Sequence, residues 1–247
     1  VWNDDNWGDL WETLLKASNG FSGKKFSENF LGTIVIYVKN LEPPLKCSII
    51  DGQQRLVTLS LILAAMRDMF SKDIGLGDKI NKNILMENQD LSKNVFNSII
   101  RLSNTDSESY NTILNRINIK KPDDLISLCY NYYFKKFEEN GDKIDPDHMH
   151  TALIKYLLFS KVVIKNPSGL ADVFQTINSH GRPIEDLDYI RCILFSEMDE
   201  PKFEQLYKKW EDLEKSFKNE LDETFRTQDS ALLQYIKSIL LYLGHTI

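Results

Sequence analysis

The run Ser48-Ile49-Ile50-Asp51-Gly52-Gln53-Gln54-Arg55-Leu56 concentrates reactive side chains in a short stretch. An apolar run leads into an acid, a glycine, two amides and an arginine. Beyond them Leu56, Leu59, Leu63, Met66 and Phe70 recur at helical spacing. The pattern predicts a strand, a tight turn and a helix start. Gly52 permits the turn and a close approach by a ligand. The first N–H groups of a helix lack intrahelical partners, and together with the helix dipole they favour an anion. Arg55, in the first turn, can add a bidentate contact to phosphate. Asp51, at the strand tip, can hold a metal ion or orient a water. Gln53 and Gln54 can meet a sugar, a base edge or an attacking water. This is a phosphate cradle in outline, without the GxxxxGK[ST] pattern of a P-loop. The same residues also fit a plain helix cap, with Asp51 capping, Gly52 turning the chain and Arg55 exposed.

A second polar group lies in Phe174-Gln175-Thr176-Ile177-Asn178-Ser179-His180-Gly181-Arg182-Pro183. His180 can serve as an acid or base, or hydrogen-bond a phosphate, and Arg182 can neutralise phosphate charge. The alternative is an inter-helix turn, with Gly181 left-handed and Pro183 opening the next helix. In Asp145-Pro146-Asp147-His148-Met149-His150 the two histidines are two apart and do not share a helix face. That segment predicts a helix N-terminus after Pro146 rather than a metal site. Cys47, Cys129 and Cys192 are far apart and form no CxxC or disulfide framework, which points to a reducing cytoplasmic setting. None stands beside a base, and Cys47 falls in an apolar run, so no catalytic thiol is expected.

These groups need a scaffold. Trp7, Leu10, Trp11, Leu14 and Leu15 predict a helix over residues 4–18, stopped at Gly20, with the tryptophans in the core. The β-branched run at 30–38 predicts a buried strand, 41–44 a turn, 46–50 a second strand and 53–70 a helix. Residues 71–156 are rich in Asn, Asp, Ser and Lys. Their apolar spacing at Val95-Ile99-Ile100, Leu125-Leu128-Tyr132 and Leu153-Leu157 predicts several short helices. A third strand is expected at 158–165, and helices at 170–177, 185–196, 202–217 and 230–243. The class is α+β, a small sheet with many helices.

The chain of 247 residues is 42% hydrophobic and 27% charged, enough apolar material for a core. Lys and Arg number 30 against 36 Asp and Glu, a net charge of −6 that argues against coating nucleic acid by bulk charge. No apolar stretch is long enough to span a bilayer, and no signal peptide is seen. The start at Val1 reads as that of a fragment.

The string Ile50-Asp51-Gly52-Gln53-Gln54-Arg55-Leu56, followed by Thr58-Leu59, resembles the DGQQR motif of the N-terminal domains of GmrSD-type restriction endonucleases. Phe30-Leu31-Gly32-Thr33-Ile34-Val35 is similar to that family's strand with a small-residue step. The segment 174–181, with Leu187-Asp188-Tyr189-Ile190-Arg191, resembles a later block, though His180 stands where the family usually carries Arg, and Arg182 is shifted by two. The resemblance covers about residues 1–196. It implies a ParB/sulfiredoxin-like mixed-sheet core in residues 1–70 and 158–198, a helical insertion in 71–157 and C-terminal helices in 199–247 that continue downstream. It implies binding and hydrolysis of nucleoside triphosphate, with Mg²⁺, in a modification-dependent restriction or phage-defence system. Asp51, Gln53, Gln54 and Arg55 would then be catalytic. Gly52, Arg55, Thr58, Asn178, His180, Gly181 and Arg182 would bind nucleotide, and Asp51 and Asp188 would stand nearest a metal. Expected partners are the nucleotide, DNA that carries modified bases, a nuclease and a second copy of the chain, with no membrane. No HNH pattern occurs, so a cutting domain would lie downstream of Ile247 or on a partner. The alternative within the same kind of system is a DNA-recognition module whose nucleotide site is degenerate.

Overall fold

A computed structural model describes residues 2–21, 25–38, 47–85, 98–102, 104–117, 123–165 and 228–242, and within 166–227 only Ile190, Lys209, Trp210, Asp212, Leu213 and Ser216. Among the described residues there are seven α-helices and three strands, an α+β architecture. The elements are α1 (Asp4–Ala17), β1 (Asn29–Tyr37), β2 (Ser48–Asp51), α2 (Gln53–Met69), α3 (Ile74–Ile84), α4 (Asn104–Leu114), α5 (Leu125–Asn140), α6 (Pro146–Lys155), β3 (Leu157–Ile164) and α7 (Gln228–Tyr242), with a 3₁₀ turn at Gly141–Lys143. Sheet order is β2-β1-β3. Asn29 N–H donates to Tyr156 O and Val38 N–H to Ile164 O, so β1 and β3 run parallel. A parallel pair needs a long crossover, and the helices α2 to α6 lie between the two strands in the chain.

The chain divides into two units, Val1–Ile34 with Asp51–Lys161, and Val35–Ile50 with Val162–Ile247. In the first unit α2 is the central element. Thr58 and every residue from Ser60 to Arg67 are buried, so the helix carries apolar residues on almost all sides, as a helix surrounded by others must. It packs against α5, α3, α4 and α6. Helix α1 presents Trp7, Leu10, Trp11, Leu14 and Ala17 to the same core. Trp11 meets Phe137 edge-on at 5.2 Å, and Tyr133 donates its hydroxyl to Trp7 O at 3.0 Å. Each such buried side chain contributes roughly 1.5–3 kcal/mol. The Asn3–Asn6 capping box starts α1, and Gly20, at φ +89, follows its end. In the second unit Trp210 and Leu232 are buried, with Ile190, Leu213, Leu233 and Ile236 against them.

The far end of α2 is tied down by a buried arginine. Arg67 is 1% exposed. It donates to Leu114 O (2.7 Å), Ile113 O (3.2 Å), Asn81 Oδ1 (3.0 Å) and both carboxylate oxygens of Asp68. Two of these acceptors are carbonyls at the C-terminal end of α4, which have no partner within their own helix. Asp68 also accepts from Arg116 Nε and Tyr130 Oη.

Several expectations change. The apolar face of α5 is not Leu125-Leu128-Tyr132. Leu125 and Leu128 are exposed, and the buried face is Ile126, Cys129, Tyr133 and Phe137. Two aromatic-rich faces compete on this helix, and only the position of α2 chooses between them. Ile99 and Ile100 are not helical. Neighbouring Ser98 forms an antiparallel bridge with Leu85, and Val95 lies outside the described residues. Leu157 opens β3 rather than extending α6. Cys47 is exposed and precedes β2. The turn expected at 41–44 and the helix expected at 170–177 lie outside the described residues, as do most of 202–217 and all of 185–196 except Ile190, which is helical.

Candidate functional site

The string 51–55 forms the strand–turn–helix that its residue types predict. Asp51 ends β2, and Gly52 is the N-cap of α2 at φ +90. A Cβ at position 52 would lie 3.1 Å from Ile34 Cγ1, a tight contact that Ile34 would have to relieve, and the turn adopts a conformation that favours glycine. Asp51 does not cap the helix: the N-cap is Gly52, which has no side chain to offer, and the Asp51 carboxylate accepts from Arg55. A helix start, with its dipole, favours negative charge at its first N–H groups. Gln53 and Gln54 are exposed in that first turn.

Arg55 is not an exposed helix residue. Its side chain is 22% exposed and held at two points. Nη1 donates to Leu31 O at 2.8 Å, and Nη2 donates to Asp51 Oδ2 at 3.2 Å. The first contact requires Gly32, which sits inside β1 at φ +102, where a Cβ would overlap Arg55 Nη1. Of the two glycines in the left-handed region, Gly32 in β1 admits the guanidinium, while Gly52 turns the chain into α2 against Ile34. The segment around Gly32 was visible in the sequence as a small-residue step, but its role as the opening for Arg55 depends on the pairing of β1 with β2.

Beside Arg55 lies a cleft of about 170 Å³ between α1, β1 and α2, lined by Trp2, Asn6, Asp9, Leu10, Thr13, Leu31, Arg55 and Leu59. Sequence reading missed this cleft. The available signal was Asn6, Asp9 and Thr13, a polar stripe at i, i+3 and i+7 beside the apolar stripe of α1.

The remaining expected site residues divide into two groups. Thr58 is buried, so its side chain is turned into the core and not grouped with residues 51–55. Burial pushes the Cys129 thiol up to about 12, which leaves it a thiol at ordinary pH. Asn178, His180, Gly181, Arg182 and Asp188 lie outside the described residues. The two histidines of the 145–150 segment go separate ways. His148 Nε2 is 2.7 Å from Ser18 O and its ring stacks on Phe26, while His150 Nε2 is 3.1 Å from Asn83 Nδ2. Among the described residues no group of three or more His, Cys, Asp or Glu could hold a metal ion by itself.

The profile of the GmrSD restriction endonuclease N-terminal domain matches residues 1–195. The chain belongs to this family. No curated protein matches the chain. Membership connects the GmrSD-type domain to a restriction system, one that acts against DNA through a nuclease. The match takes in both glycines, Arg55 and all of the cleft. No helix among the described residues is long and apolar enough to cross a membrane.

Proposed function

We propose that this GmrSD-type domain binds a nucleoside triphosphate at residues 51–55 and hydrolyses it to regulate a modification-dependent restriction or phage-defence nuclease. The observation that carries the reading is Arg55, held by Leu31 O and Asp51 in the first turn of a helix whose N-cap is a glycine. Phosphate oxygens would meet the first N–H groups of α2 and the guanidinium together.

The Arg55–Asp51 pair is partly exposed on both sides, at 22% and 34%. Pairs of this kind contribute about 1 kcal/mol or less, so a phosphate can replace Asp51 on Nη2 at small cost while Nη1 stays on Leu31 O. The Asp51 carboxylate is then free to accept a proton or a cation. One carboxylate plus phosphate oxygens is a donor set that suits Mg²⁺, which is commonly bound by one or two carboxylates and the substrate's phosphates. Asp188 is the further acid expected near it. Such an ion would neutralise phosphate charge during transfer. The side chains of Gln53 and Gln54, exposed in the first turn of α2, would orient a water. The water oxygen attacks the γ-phosphorus, the bond to the β-phosphate oxygen breaks, and the diphosphate leaves while the water's proton passes to phosphate or to Asp51.

The test is a thermal-shift and phosphate-release panel of ATP, GTP, CTP and UTP with Mg²⁺, with and without DNA, on wild type and Arg55→Ala. Nucleotide stabilisation and turnover in the wild type, both lost in Arg55→Ala, are expected. DNA binding that ignores both nucleotide and Arg55→Ala would overturn the reading in favour of a DNA-recognition module.

A further inference from the structure

The cleft beside Arg55 has a composition that phosphate binding does not use. Leu10, Leu31 and Leu59 give it apolar walls and Trp2 an aromatic one, while Asn6, Asp9 and Thr13 come from one face of α1. A purely anionic ligand would gain nothing from the indole and the leucines, and would be repelled by Asp9. Sites for whole small molecules usually measure about 300–1,000 Å³. At about 170 Å³ the cleft takes only one portion of a nucleotide. Arg55 lines the cleft and also belongs to the first turn of α2, so a ligand with phosphates at that turn carries its uncharged portion toward α1.

We propose that this cleft is the nucleoside subsite, receiving the base and ribose of the nucleotide whose phosphates lie at residues 51–55. The proposal rests on the reading of that turn as a phosphate site. Apolar walls and an indole favour the face of a base. An ionised carboxylate only accepts hydrogen bonds, so Asp9 selects a ligand group that donates, either a ribose hydroxyl or a base N–H. The Thr13 hydroxyl donates its proton to Asp9 O at 2.8 Å and Asn6 Oδ1 accepts from Asn3 N–H, so the Asp9 carboxylate is the charged acceptor of the α1 wall. The subsite supplies discrimination between nucleotides and bare polyphosphate, because a donor withheld from a charged acceptor costs binding energy.

The experiment measures binding by calorimetry with Mg²⁺ on wild type, Asp9→Asn and Thr13→Phe. The ligands are inorganic tripolyphosphate, the four ribonucleoside triphosphates and their 2′-deoxy forms. Asp9→Asn keeps the shape of an exposed side chain, and Thr13→Phe fills the cleft from a helix surface. The wild type is expected to bind at least one nucleotide about tenfold or more tightly than tripolyphosphate, a ratio set by one hydrogen bond to a charged group. Both substitutions are expected to weaken that nucleotide by a similar factor and leave tripolyphosphate undiminished. A 2′-deoxy penalty that disappears in Asp9→Asn assigns the donor to ribose. An unchanged deoxy form with a base preference that disappears assigns it to the base. Equal binding of nucleotide and tripolyphosphate, or nucleotide binding indifferent to both substitutions, overturns the subsite and leaves the phosphate site standing. No binding of either ligand overturns both.

Discussion

Helix α2 carries an arginine near each end, and the two do opposite things with the same group. Arg67 is sealed at 1% exposure, with its donors spent on Ile113 O, Leu114 O, Asn81 and Asp68. Arg55 keeps 22% of its side chain exposed and is held by one carbonyl and one partly exposed carboxylate. The first arrangement joins α2 to the end of α4 and cannot be given up without leaving buried charge unpaired. The second fixes the direction of a guanidinium while leaving part of it exchangeable. A structural arginine is recognised by the saturation of its donors, and a candidate ligand-binding one by partial satisfaction beside a cleft.

Removing each arginine should separate the two roles. Arg67→Ala is expected to destabilise by about 3–5 kcal/mol, the scale for breaking a buried charge pair. In a protein of this size that lowers Tm by about 6–20 °C in a differential scanning experiment. A loss no larger than that of Arg55→Ala would erase the contrast. Gly32→Ala comes next. It places a Cβ on Arg55 Nη1 and forces a side chain to φ +102, with a cost of about 1–3 kcal/mol from backbone strain alone. In the Arg55→Ala background only the strain remains, so a double-mutant cycle by denaturant melts should show a smaller penalty there. Additive penalties would mean that Gly32 serves the strand and not the arginine.

Arg55→Ala by itself is expected to change stability by about 1 kcal/mol or less, because the ion pair it removes is partly exposed. Nucleotide stabilisation should nevertheless vanish. The smallest effect is expected at His150, which lies outside the comparison and calibrates it. Burial first and the Lys79 charge second lower its pKa below the ordinary 6.5. Stability from the neutral ring is therefore complete above about pH 6.5 and is lost as pH falls through the folded-state value. Unfolding followed from pH 7 to pH 5 should show a shallower decline in His150→Gln than in wild type. Identical slopes would remove His150 from the acid response.

The strand–turn–helix at 48–69 was legible because its signals are local. An apolar run, a glycine that must turn, and a 3.6-residue repeat each act within a few residues. The same holds for α1, for β1, and for the α6 start at Asp145-Pro146, where Asp145 caps the helix and proline sits in its first turn. The face of α5 was not legible, since Leu125 and Leu128 offer an apolar repeat as regular as the buried one. Arg67 was not legible either. Within the apolar run of α2 its position alone does not say whether carbonyls of another helix wait for it.

The residue types at 51–55 were set by the sequence alone, and so were the α+β class and the family. The tertiary structure decided which of those residues work together. It paired Asp51 with Arg55 instead of with the helix end, buried Thr58 in the core, and opened β1 at Gly32 so that the guanidinium reaches Leu31 O. The cleft was decided there as well, because Asp9 and Arg55 are 46 residues apart in the chain and meet only when α1, β1 and α2 pack around a shared core. Local propensity acts along the chain, whereas burial and hydrogen-bond satisfaction act between segments distant in it. That is why the turn could be read from the sequence and the pocket beside it could not.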